Sequence, residues 1–68
     1  MKNVKIKFIR KYEAYRENWY DVIYYSGKIY TFLETELPKT AREFIETATK
    51  RTEQYDKLFK RSEMIYEA

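Results

Sequence analysis

The chain has 68 residues, a net charge of +3 with 37% charged residues, and neither His nor Cys. That length admits one small domain near the lower limit for unaided folding. The missing residue types remove the commonest general base, the thiolate nucleophile, the disulfide staple and the usual zinc ligands, and a single Gly excludes a Gly-rich phosphate loop, so the sequence reads as a non-enzyme with no cofactor and no metal.

The positive charge is unevenly spread. Residues 1–20 carry six Lys/Arg (Lys2, Lys5, Lys7, Arg10, Lys11 and Arg16) against two Glu, whereas residues 41–68 carry six of each sign. A basic first strand can steer polyanions, and it can equally be an edge that lysines protect from aggregation. The N-terminus alternates Lys with apolar residues and contains no continuous apolar run, so neither a signal peptide nor a membrane span is expected. A cytoplasmic location follows. Abundant Lys, Ile, Tyr and Phe fit an AT-rich genome, such as that of a low-GC bacterium or its phage.

Val4, Ile6 and Phe8 alternate with Lys5 and Lys7, the period of a half-buried strand, which places a first strand at residues 3–11. Residues 12–18 are ambiguous. Tyr12, Tyr15 and Trp19 have helical spacing, but a strand extension and a polar loop around Arg16-Glu17-Asn18 fit as well, and the loop is preferred. Residues 19–25 and 28–33 form a hairpin, WYDVIYYSGKIYTFL, across a two-residue Ser26-Gly27 turn in which Gly supplies the positive φ. That register sets Tyr24 opposite Ile29, Val22 opposite Thr31 and Tyr20 opposite Leu33. The uncharged set joins Val4, Ile6 and Phe8 in the core. Lys5, Lys7, Trp19, Ile23, Tyr25, Lys28, Tyr30 and Phe32 then share the outer face.

The remainder reads as helix. Pro38 suits a first helical turn, and Thr40-Ala-Arg-Glu43 matches a capping box. Ala41, Phe44, Ile45, Ala48, Tyr55, Leu58, Phe59, Ile65 and Tyr66 follow helical periodicity, with i,i+4 ion pairs such as Glu46–Lys50 and Glu53–Lys57 on the other side. A helix over 38–67 would run about 45 Å, whereas the strands span only about 20–24 Å. Tyr55, Leu58, Phe59, Ile65 and Tyr66 would project beyond the sheet. Either the chain bends within residues 47–54 and folds back, or the distal half packs on a second copy. The expected fold is therefore α+β: a three-stranded antiparallel sheet (residues 3–33) followed by one long C-terminal helix, in one domain over 1–68.

WYDVIYYSGKIY followed by a Thr-started helix resembles the N-terminal arm-binding, AP2-like domain of phage and transposon tyrosine integrases. The residues that carry the likeness are Trp19, Tyr20, Val22, Tyr24, Gly27, Lys28, Tyr30 and Thr40, and it covers about half the chain. The resemblance implies a three-stranded sheet that binds DNA while the helix supports it.

Flat aromatics beside lysines can stack on bases and meet phosphates. The same aromatics can be core, covered by a folded-back helix, or can form a protein-binding patch, because Trp and Tyr dominate interface hot spots. The expected function is a small non-catalytic binding protein, phage or mobile-element encoded. It would dock its aromatic-basic face on a host nucleic-acid-handling protein or nucleoprotein complex and inhibit or redirect it, as anti-defence proteins do. The alternatives are a DNA-binding module using that face, with nucleic acid as the partner, and a structural homodimer joined through Tyr55, Leu58, Phe59, Ile65 and Tyr66.

Overall fold

Strands form where aliphatic and aromatic residues alternate, and they also form across half of the segment expected to be helical. The computed structural model describes residues 5–68. Five strands, β1 (Ile6–Ala14), β2 (Glu17–Tyr24), β3 (Ile29–Leu33), β4 (Thr49–Asp56) and β5 (Arg61–Glu67), make one antiparallel sheet in the order β3-β2-β1-β5-β4. A 3-10 turn at Glu34–Glu36 leads to the short helix α1 (Lys39–Thr47), which lies across one face and connects the two edge strands.

This overturns the expectation of a three-stranded sheet with a long helix over 38–67. The helix ends at Thr47, and Ala48 is already extended at ψ 154°. Thr47, Thr49 and Thr52 are β-branched and weaken a helix where nothing packs against it. The deciding term is burial. As helix, Ile65 and Tyr66 had no partner. As strand β5 they point to opposite faces beside β1, where they are 4% and 7% exposed. Tertiary packing thus outweighs propensity. The expected i,i+4 ion pairs are replaced by strand ones, with Arg51 bonded to Glu53 two residues on in β4 and, across to β5 at 2.7 Å, to Glu67. No capping box forms either. Pro38 is the N-cap without a side-chain bond, and Thr40 sits inside the first turn.

Residues 12–18, expected as a loop, extend the first hairpin. β1 runs to Ala14, and Tyr15 and Arg16 form a two-residue turn with φ of 54° and 64° between the paired Ala14 and Glu17. The second hairpin has the other error. Tyr24 N donates to Lys28 O and Gly27 N to Tyr24 O, both at 2.9 Å, so the loop holds three residues, with Gly27 at φ +95°. A type I turn closed by one left-handed glycine gives this loop, and one extra residue shifts the register by one. Val22 therefore faces Tyr30, and Tyr20 faces Phe32.

Cross-strand partners share a face, and this sorts the side chains. Ile6, Ile9, Tyr20 and Val22 form the core with Tyr66 of β5, Ala41 of α1 and Leu37, which precedes it; Tyr24, Phe32, Phe44, Ile45 and Met64 pack around them. Phe8 leaves the expected core because a bulge at Lys7 reverses its side relative to Ile6. Val4, also expected in the core, lies outside the described residues. Ile29, Thr31 and Leu33 move from the expected core to the face opposite α1.

Candidate functional site

The eight residues expected to share one docking face do not. Trp19 and Ile23 lie on the face opposite α1, where Ile23 is buried and Trp19 Nε1 donates to Ala14 O at 2.9 Å. Tyr30 and Phe32 lie on the helix side; Tyr30 meets Tyr24 edge-on with centroids 5.5 Å apart, and Phe32 packs against the core. Tyr25 lies in the second hairpin loop and Lys28 closes it opposite Tyr24; Tyr25 N donates to the carbonyl of Lys5 at 3.2 Å. Lys7 is the bulge residue. The lysines and aromatics thus occupy two faces and one end.

The face opposite α1 is organised around a buried carboxylate that the sequence did not single out. Asp21 accepts from Arg10 Nη2 at 2.9 Å, Thr31 Oγ1 at 2.8 Å and Tyr12 OH at 3.1 Å. These donors come from the strands on either side and close over it, leaving Asp21 7% exposed. Burial, followed by the hydrogen bond to Asp21, raises the Tyr12 phenol above its ordinary value. This constellation has every acceptor satisfied and its one free cation neutralised, so it is a structural clasp between β1, β2 and β3.

On the helix side, Lys11 Nζ lies 5.7 Å from the Tyr20 ring centre and 3.8 Å from Glu34, and Tyr20 OH donates to Glu34 at 3.4 Å. Burial is the first cause of the raised Tyr20 phenol, with Lys11 opposing it and Glu34 adding to it.

The strongest concentration of unsatisfied surface is at the end of the sheet where the two long hairpins separate. The β1–β5 ladder stops at Lys11–Met64. Beyond it the Tyr15-Arg16 turn and the β4–β5 tip diverge around a cleft of about 470 Å³, lined by residues that include Tyr15, Arg16, Tyr55, Phe59, Lys60 and Arg61. Local chemistry shapes both tips. Asp56 Oδ1 accepts from the amides of Leu58 and Phe59, both at 3.1 Å, an Asx-type turn, and Lys60 takes φ 57° to complete it. A bulge at Tyr55 twists β4 just before the tip. The result is four exposed apolar side chains at one end: Tyr15 at 90%, Leu58 at 83%, Phe59 at 68% and Tyr55 at 52%. Arg16, Lys57, Lys60 and Arg61 flank them, and none has an ion-pair partner among the described residues.

Three of the five residues expected on an oligomerising helix, Tyr55, Leu58 and Phe59, therefore belong to this fork, whereas Ile65 and Tyr66 are interior. Tyr15 and Arg16 were not expected. Nothing in a Tyr-Arg pair signals a turn that normally selects Asn-Gly, whereas Asp56 ahead of the Lys-Leu-Phe-Lys run is a readable turn signal.

Comparison with protein-family models, with curated proteins and with solved structures gave no match.

Proposed function

We propose that the protein is a small non-catalytic binding protein that docks through its forked end on a partner protein, with Leu58 and Phe59 as anchors. The observation that carries this reading is the exposure of Leu58, Phe59 and Tyr15 together at one end. Leaving such side chains in water forgoes roughly 1.5–3 kcal/mol each relative to burial. The left-handed conformations of Tyr15 and Arg16 add a cost of about 1–2 kcal/mol each. A chain this small has little stability to spare, and a fixed, strained presentation of apolar tips is what a docking surface needs. The aliphatic Leu58 suits a protein pocket better than a base stack, and the surrounding cations suit an acidic rim.

The composition supports a phage or mobile-element origin, with a bacterial cytoplasm as the setting. The partner is then a host nucleic-acid-handling protein or nucleoprotein complex that the small protein inhibits or redirects. Among the described residues no helix is long and apolar enough to cross a membrane.

One observation favours a second reading, direct nucleic-acid binding: four cations without partners surround three aromatic rings at the fork. The two readings separate in one experiment. The protein and its Leu58→Asp and Phe59→Ala variants are used as affinity baits in host lysate, with and without nuclease. A protein retained after nuclease and lost with either variant supports docking. A partner lost on nuclease treatment, with binding to an oligonucleotide that weakens steeply in salt and in Lys60→Ala, supports the second reading. Capture indifferent to both fork variants and to nuclease would remove the fork from both.

A further inference from the structure

We propose that the protein forms a two-fold symmetric dimer by antiparallel pairing of β3 with β3 of a second copy, centred on Thr31. The two edges of the sheet differ in a way that points there. β4 is the expected kind of edge, with Lys50, Arg51, Glu53 and Asp56 discouraging strand addition. β3, Ile29–Leu33, reads Ile-Tyr-Thr-Phe-Leu and carries no charge. Ile29 is 57% and Tyr30 47% exposed, and no strand lies beyond β3 among the described residues. An uncharged edge is the kind that natural sheets otherwise cover.

The backbone fixes which groups are free. Tyr24 N bonds Lys28 O at the mouth of the hairpin, and hydrogen-bonded and non-hydrogen-bonded pairs alternate along an antiparallel ladder. Tyr30 and Phe32 therefore spend their N–H and C=O groups on Val22 and Tyr20, their partners in β2. Ile29, Thr31 and Leu33 turn theirs outward. A two-fold axis through Thr31 sets Thr31 against its own copy and Ile29 against Leu33, and these are the residues with free donors and acceptors. Uncharged residues then meet uncharged residues at every position of the strand, with Thr31 against Thr31 at the centre.

Charge selects the second copy over other extended segments. In the same register, Lys28 at one end of β3 lies opposite Glu34 at the other end of its copy, twice by symmetry. Lys28 has no ion-pair partner among the described residues. Glu34 is held on the helix side by Lys11 at 3.8 Å and Tyr20 OH at 3.4 Å, the side on which Lys28 would meet it. An interface of this kind is self-complementary, as a two-fold contact must be. It leaves the fork untouched, so it does not depend on the docking function proposed above.

Sedimentation measurements over a wide concentration range test this, alongside amide hydrogen exchange on dilute and concentrated samples. The expected result is a reversible monomer–dimer equilibrium, with the amides of Ile29, Thr31 and Leu33 slowed at high concentration and those of Tyr30 and Phe32 unchanged. Lys28→Glu and Glu34→Lys each replace two attractive pairs with repulsive ones and weaken the dimer by about tenfold or more. Mixing the two variants in equal amounts restores it, because each then meets its complement. Ile29→Lys, at a side chain 57% exposed in the single copy, sets a lysine against Leu33 of the other copy and also disrupts it. A wild-type monomer at millimolar concentration overturns the inference. So does a dimer indifferent to all three variants, or protection of the outward amides only when a different protein is added.

Discussion

Replacing Asp21 by Ala removes the clasp on the face opposite α1, and its cost can be worked from the geometry. Three donors lose their acceptor: Arg10 at 2.9 Å, Thr31 at 2.8 Å and Tyr12 at 3.1 Å. A hydrogen bond to a charged group contributes roughly 1.5–3 kcal/mol, and removing one partner of a buried ion pair costs about 3–5 kcal/mol. Arg10 is 35% exposed while the Asp21 side chain is 10% exposed, so the freed guanidinium rehydrates and the lower end of that range applies. The expected loss is about 3 kcal/mol, a large part of the total for a domain of this size, and a fall in Tm of more than about 10 °C. Asp21→Asn, which keeps the shape but not the charge, costs about half as much. Urea unfolding followed by circular dichroism and by Trp19 fluorescence measures both, and an Arg10→Met/Asp21→Ala cycle isolates the pair. A loss below about 1 kcal/mol for Asp21→Ala, or no coupling in the cycle, would show that solvent already satisfies these groups and that the clasp is decorative.

The remaining expectations concern the turns, alkaline pH and the tip. Tyr15→Asn with Arg16→Gly replaces two left-handed side-chain residues by the pair that such a turn prefers, so thermal unfolding should rise by several degrees while partner binding through the fork weakens. Gly27→Ala meets no atom within 4 Å, but φ +95° is retained, so it should cost about 1 kcal/mol by chemical denaturation through backbone strain alone. Tyr12 and Tyr20 are both raised above 10.0 in the folded state; the folded chain then holds protons more tightly than the unfolded one, so their contribution is full below pH 10 and is lost as pH rises past it. Tyr12→Phe and Tyr20→Phe should flatten that alkaline decline in a pH series of urea melts. Leu58→Ala should change unfolding free energy by less than about 0.5 kcal/mol, because an 83% exposed side chain buries little.

In the first half, the core face of β2 was legible because its signals are local. Ile6, Tyr20, Val22 and Tyr24 alternate, and the face of β2 that they mark is the one that α1 covers. Gly27 marked its hairpin, but a lone glycine serves both a two-residue and a three-residue loop, and that single residue moved Tyr30 and Phe32 to the helix side and Ile29 and Leu33 away from it. The second half misled for a physical reason. Residues 49–67 carry spacings compatible with a helix, and their strand character becomes favourable only because β1 offers an edge to Ile65 and Tyr66. That edge belongs to the far end of the sequence. The candidate fork was partly visible, through the surplus of Tyr55, Leu58 and Phe59. Tyr15 and Arg16 were hidden because their conformation is imposed by the strands on either side.

The position of β5 beside β1 bears on how the molecule assembles. The central pair of the sheet joins residues from nearly opposite ends of the sequence, so the mean contact order is high and folding should be slow for so short a polypeptide. Until Ile65 and Tyr66 arrive, a nascent chain has β1 with one flank bare, and the early meander is a three-stranded species with an oily side. Loss of the last strand would therefore be felt at the centre of the sheet, far from the cut.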